Sequence, residues 1–196
     1  MKKTKDKVVP MLEQKPLVIM SAALNDGLCN YSYDIKMGVG AGNSHAVKGK
    51  GIVDDDLAHA FFPLNTHLAI IDDVFKHSDI EIDSINKFYT HELTAKYTVT
   101  GFKITGEEGS EQVILIGTKH VSCSNAAISI QTPKIPMDDL SSYQFHQSLK
   151  NAIEKCREEV ELYHGGKYTE VEPTVVIDAA QMTISQTEEE FTSGKV

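Results

Sequence analysis

No stretch of this chain approaches the roughly 20 consecutive apolar residues that a membrane-spanning helix requires, so no span and no membrane partner is expected. The first residues, MKKTKDKVVPMLEQKPLVIMSAAL, begin basic, but Glu13, Lys15 and Pro16 break the apolar stretches, unlike the core of a secretory signal. Cysteine is scarce. Cys29, Cys123 and Cys156 are odd in number and show no CxxC spacing, which argues against a disulfide framework or a cysteine zinc site and for reduced thiols in a soluble, cytoplasmic protein. Basic residues are also short, 19 against 28 acidic ones, for a net charge of −9. Non-specific nucleic-acid affinity comes from lysine and arginine displacing counterions, so any phosphate-binding surface here must be a local basic stripe.

The charge is unevenly placed. Residues 1–7 hold four lysines against Asp6, while residues 169–196 hold six acids against Lys195. The expected organisation is a basic flexible N-terminus (1–15), a single α+β domain (16–168) and an acidic flexible tail (169–196). Within the domain, Cys29, Tyr31, Tyr33, Ile35 and Met37 alternate with polar residues, the period of a strand with one face on a core. After GVGAGNS the chain resumes as HAVKGKGIV, giving a β-hairpin with a glycine-rich tip and with Lys48 and Lys50 pointing outward.

Asp54, Asp55 and Asp56 supply a helix cap, and Leu57, Phe61, Leu64, Leu68, Ile71 and Phe75 follow at spacings of four and three, an apolar helical seam. Pro63 falls inside this seam and is expected to kink or split the helix, with Asn65 and Thr66 capping a second piece. A connector over 78–91, with a helical turn around Ile82 to Phe88, leads to a β-rich block from Glu92 to Thr132. There a three-strand meander starts at Leu93, a bulge at Gly101 shifts the phase, and Val113 to Ile116 form a central strand. A long amphipathic helix over Asp139 to Tyr163 carries Phe145, Leu149, Ile153, Cys156, Val160 and Tyr163 and stops at Gly165-Gly166. The sum is an α+β fold with a mainly antiparallel sheet of about five strands, plus a further strand near Leu17 to Met20, covered by two helices.

Catalytic signals are weak. The glycines from Gly38 to Gly42 lack the Gly-Lys-Ser/Thr and the following helix that a phosphate loop needs. Asp55 with His59 and Asp73 with His77 have helical i, i+4 spacing; they read as surface ion pairs, and the rival reading is a metal-dependent hydrolase. Cys123 beside His120 has no elbow or oxyanion loop around it and reads as a loop or core cysteine. No cofactor is expected, and the expectation is a protein without catalytic activity.

Lysines and aromatics together make a stronger combination. Lys36, Lys48, Lys50, Lys103 and Lys119 lie on predicted strands that also carry Tyr31, Tyr33, Tyr97 and Phe102, the ingredients of a single-strand platform where bases stack and phosphates meet cations. The tyrosines share the apolar parity, so most belong to the core. Gly38, Gly40, Gly42, Asn43 and His45 form the candidate contact loop, and Val175 and Ile177 an apolar island in the tail. With its terminal Glu188-Glu189-Glu190-Phe191, the layout resembles single-stranded-DNA-binding and replication-accessory proteins of bacteriophages and mobile elements, although TSGKV follows Phe191 here. That resemblance implies a phage-type accessory protein whose tail, through Glu189 and Phe191, docks a protein partner. The rival expectation is self-assembly into a homo-oligomer, or capture of a host factor, through the apolar seams and the tail island.

Overall fold

A computed structural model of the chain describes residues 17–35, 43–76, 79–107, 109–138 and 141–170. These form β1 (Leu17–Asn25), β2 (Leu28–Ile35), β3 (Asn43–Val47), β4 (Gly51–Val53), α1 (Asp55–Ile71), β5 (Tyr97–Thr105), β6 (Gln112–Val121), β7 (Ala126–Gln131), β8 (Ile135–Pro136), α2 (His146–His164) and β9 (Tyr168–Glu170). One open, mainly antiparallel sheet runs in the order β7-β6-β5-β1-β2-β4-β9, with β3 adding to β2 and β8 to β6. The α+β class is as expected; among the described residues the strand count is nine rather than about five. Among the described residues no helix is long and apolar enough to cross a membrane.

Three of the extra strands have visible causes. β1 is far longer than the strand expected near Leu17 to Met20 and lies mid-sheet, between β2 and β5. Its alternation is hidden by a register shift between Ile19 and Ser21. Asp26 and Gly27 both take positive φ, 52° and 76°, in the two-residue turn that joins β1 to β2. The HAVKGKGIV segment is two strands, because Lys48 to Lys50 leave the ladder between β3 and β4. β9, beyond the long helix, pairs with β4 through Ile52 and Thr169.

α1 runs unbroken through Pro63 for 17 residues, capped by Asp54, whose side chain accepts from the Leu57 N–H. The expected break is absent because Leu57 and Phe61 before the proline, and Leu64 and Leu68 after it, are all buried in one core. Four such side chains contribute about 1.5–3 kcal/mol each, which exceeds the ~3 kcal/mol cost of an internal proline. Asn65 caps nothing; its Oδ1 accepts from the Val99 N–H at 2.7 Å. That donor lies where β5 shifts register against β6 between Val99 and Gly101, so the bulge is present as expected and α1 provides an acceptor beside it.

The connector contains a 3-10 turn over Ile82–Phe88, and a second one, Thr94–Lys96, delays the start of the meander from Leu93 to Tyr97. α2 begins at His146, later than the expected Asp139, after a turn in which the Tyr143 N–H donates to Ser141 Oγ. All of the residues expected on its seam are buried. Arg157 on α2 reaches the Ile19 carbonyl at 3.0 Å and pairs with Glu111 and Glu154, tying helix to sheet. Both helices thus cover one face, α1 over β5 and β6 and α2 over β1, with the core between them. The other face is open and carries Ser21, Ser32 and Lys103, with Ser21 Oγ 2.7 Å from Ser32 Oγ.

Candidate functional site

At the β2–β4–β9 end of the sheet, the sequence Lys48-Gly49-Lys50-Gly51 crosses between two strands with its glycines inward and its lysines outward. A Cβ on Gly49 would sit 2.5 Å from the Cys29 carbonyl oxygen and 2.6 Å from the Tyr163 hydroxyl. One on Gly51 would fall 2.0 Å from the Tyr168 ring. Only glycine permits such close approach, and hydrogen bonds then hold the segment in place. The Gly49 N–H donates to Asn30 Oδ1 at 3.1 Å, and Tyr163 donates its hydroxyl proton to the Gly51 carbonyl at 2.6 Å. Lys48 and Lys50 are left exposed on a backbone that is pinned on both sides.

Beneath the lysines lies an open cavity of about 230 Å³, walled by Tyr31, Tyr163, His164 and Tyr168 together with the segment itself. The rings brace one another. Tyr31 hydroxyl lies 2.7 Å from His164 Nδ1, and the Tyr163 and Tyr168 rings are 5.2 Å apart. Burial, followed by neighbouring acidic groups such as the Cys29 thiol, pushes the Tyr31 hydroxyl up to about 12, so it stays protonated at neutral pH. Next to the cavity, Tyr33 on β2 stacks on His45 of β3 with ring centres 5.1 Å apart and planes 23° from parallel. His164 and His45 are exposed and Tyr168 and Tyr33 half-buried, so planar surfaces face the solvent beside two cations.

The five lysines expected to act together are not brought to one surface. Lys103 alternates with the buried Phe102 and Ile104 and so lies on the open sheet face, away from the helices. Lys119 pairs with the buried Tyr97 in the ladder and lies on the helix side. Its ammonium is 2.6 Å from Asp72 and 5.2 Å from the Tyr97 ring centre. Burial raises the Asp72 carboxyl, but hydrogen bonds from Lys119 and Tyr97 outweigh it and hold the group below its usual range. Lys119 is therefore committed within the protein. Tyr31, Tyr97 and Phe102 are core residues, which removes them from the stacking set; Tyr33 stays half-exposed. Of the contact loop, Asn43 and His45 belong to β3, while Lys36, Gly38, Gly40 and Gly42 lie outside the described residues, as do Val175, Ile177, Glu189 and Phe191.

The histidine–aspartate pairs form no metal centre among the described residues, where the sole cluster of three candidate ligands is Asp54, Asp56 and Glu159. Lys167 fills it, with Nζ at 3.1, 2.7 and 2.8 Å from the three carboxylates. Asp55 and His59 are outside that cluster, Asp73 follows the end of α1, and His77 lies outside the described residues. Cys123 is exposed in the β6–β7 turn, the loop position expected of it, and burial pushes the Cys29 thiol up to about 12. A hydroxyl–imidazole–hydroxyl line does occur: His67 Nδ1 is 2.8 Å from the Tyr143 hydroxyl and Nε2 is 3.4 Å from Ser148 Oγ. His67 is completely buried, and desolvation lowers it to about 3, too weak a base to take a serine proton at neutral pH. It is a structural tie between α1 and the start of α2.

Asn30, Tyr163, His164 and Tyr168 hold or line this candidate site but were not singled out by pattern reading, which put Asn30 on the solvent face of a strand and Tyr163 on a buried helix seam. Their signal was the alternation Lys-Gly-Lys-Gly, which marks a backbone pressed against something while its charges face out. No family model matches the chain, and no curated protein or solved structure matches it either.

Proposed function

We propose that the protein binds single-stranded nucleic acid at the Lys48–Gly51 segment and the aromatic cavity below it, without catalysing a reaction. The observation that carries this reading is the pair of exposed lysines held over an aromatic-walled cavity by a glycine-anchored backbone. Two cations near one another suit successive backbone phosphates, and their fixed backbone lowers the entropy lost on binding. His164 and Tyr168 at the rim of the cavity and the Tyr33–His45 stack offer ring surfaces to unpaired bases. Bases inside a duplex are already stacked and cannot reach them, so single strands are preferred. The net charge of −9 repels nucleic acid elsewhere, which makes binding local and salt-dependent.

Fluorescence anisotropy with labelled single- and double-stranded oligonucleotides tests the assignment on the full chain. Lys48→Glu with Lys50→Glu should weaken single-strand binding at least about tenfold, equivalent to ~1.4 kcal/mol, while Lys103→Glu on the opposite face should leave it unchanged. An unaltered affinity in the double variant would sink the site; equal losses in both variants would move it to the open sheet face.

A further inference from the structure

We infer that Lys167 is a positioning residue for the lysine–aromatic site: clamped between the two helices, its ammonium fixes β9 and so sets the Tyr168 ring beneath Gly51. The inference deepens the reading given above and rests on it for the ligand. Tyr168 is the wall of the cavity that arrives last along the chain. Tyr31 comes from β2, and Tyr163 and His164 from α2, elements that are anchored by buried core residues of their own. Tyr168 lies instead on β9, a strand of three residues that among the described residues pairs only with β4, itself three residues long. Two such strands share few backbone hydrogen bonds, and a segment of this kind opens at little cost unless another contact holds it.

Lys167 makes that contact. After α2 the Gly165 and Gly166 N–H groups donate to the Glu161 and Tyr163 carbonyls, and Gly166 takes a φ of 104°, which reverses the chain. The Lys167 N–H donates to the Leu162 carbonyl at 2.9 Å, and its ammonium lies 2.7 Å from Asp56, 2.8 Å from Glu159 and 3.1 Å from Asp54. Asp54 uses Oδ1 to cap α1 and Oδ2 to meet the lysine. One side chain thus ties the first turn of α1, the later turns of α2 and the start of β9. Hydrogen bonds to Asp56 and Glu159 raise the ammonium above its usual range, so it stays charged. Tyr168 follows directly, its ring so close to Gly51 that a Cβ there would fall 2.0 Å away. The ladder then sets Val53 against Tyr168, Ile52 against Thr169 and Gly51 against Glu170, so β9 also holds the strand that follows Lys50. With three carboxylates around its charge, Lys167 is not itself a phosphate contact; it acts through Tyr168 and β4.

Amide hydrogen exchange, with anisotropy on a labelled single-stranded oligonucleotide, tests the inference on the full chain. The variants are Lys167→Gln, Lys167→Arg and the pair Asp56→Asn with Glu159→Gln. Lys167→Gln should exchange faster at Tyr168–Glu170 and Gly51–Val53 while β5 and β6 keep their protection. It should also bind the single strand roughly fivefold or more weakly, with an unchanged salt slope because no phosphate contact is lost. Lys167→Arg keeps the charge and should restore both readouts. The double variant removes two negative charges, which by long-range attraction alone would tighten binding; a loosened β9 weakens it instead. Unchanged exchange in Lys167→Gln, faster exchange throughout the sheet, no recovery in Lys167→Arg, or equal or tighter binding by the double variant overturns the inference and leaves the lysine site standing. A wild type that binds no single strand overturns the site itself, and the role of Lys167 there falls with it.

Discussion

The two ends of the sheet are built from the same residue types and use them in opposite ways. Where β5 and β6 meet α1, Lys119 lies against Asp72 and Tyr97, and on the same helix His67 is sealed between the hydroxyls of Tyr143 and Ser148 at the start of α2. Around β2, β4 and β9, Lys48 and Lys50 meet no carboxylate among the described residues, and His164 and His45 face solvent. The difference lies in what the neighbouring element brings. α1 ends at Asp72 beside Lys119, whereas α2 ends in Tyr163 and His164, rings that support a backbone without neutralising its charges. A lysine thus keeps its charge exposed where the packed helix brings no acid to meet it.

Acid should separate the two ends most strongly. The folded value of His67 lies near 3, below its ordinary 6.5, so as pH falls the unfolded chain takes up this proton first. The contribution is fully present above about pH 6.5 and declines by roughly 1.4 kcal/mol per unit toward pH 3. Urea denaturation of the wild type and of His67→Gln at pH 7, 5.5 and 4 should show the difference in slope. Equal slopes would mean that this end is not held by a neutral buried imidazole.

Glycine substitutions come next. Gly117→Ala would place a Cβ 2.4 Å from the Thr98 carbonyl oxygen, and Gly49→Ala would place one 2.5 Å from that of Cys29. Each should lower stability by about 1–3 kcal/mol. Thermal melts and anisotropy together break the tie, because Gly49→Ala should also weaken single-strand binding whereas Gly117→Ala should leave the folded protein's affinity intact.

The smallest effects concern the lysines. If Lys48 and Lys50 each meet one phosphate, log K against log salt should have a slope of about −1.4 for single strands. Lys119→Ala should keep that slope and that affinity, with a stability change of about 1 kcal/mol or less for a partly exposed ion pair. A slope that moves with Lys119 would erase the contrast between the two ends.

Much of the fold was legible locally. The Tyr31–Tyr33 alternation, the Leu57–Leu68 and Phe145–Tyr163 seams, the turn at Ile82–Phe88 and the phase change at Gly101 all depend on near neighbours, and each is present. The turn Asp26-Gly27 was equally local, a strong hairpin signal that the masked alternation of β1 concealed. Only half of the candidate site was legible. Lys48, Lys50 and His45 stood out by type, but Tyr163 and Tyr168 reach the cavity from the far end of the chain, and a seam residue gives no sign of what its hydroxyl bonds.

By itself the sequence determined the period of most elements, the buried stripe of each helix and the net acidic balance, because these follow from residue order and composition. Tertiary structure alone decided that Pro63 is tolerated, that Lys119 is neutralised, that Lys103 faces the opposite side and that Lys48 and Lys50 overlie an aromatic cavity. Those outcomes depend on which distant groups the sheet register and helix packing bring within a few ångströms of each other.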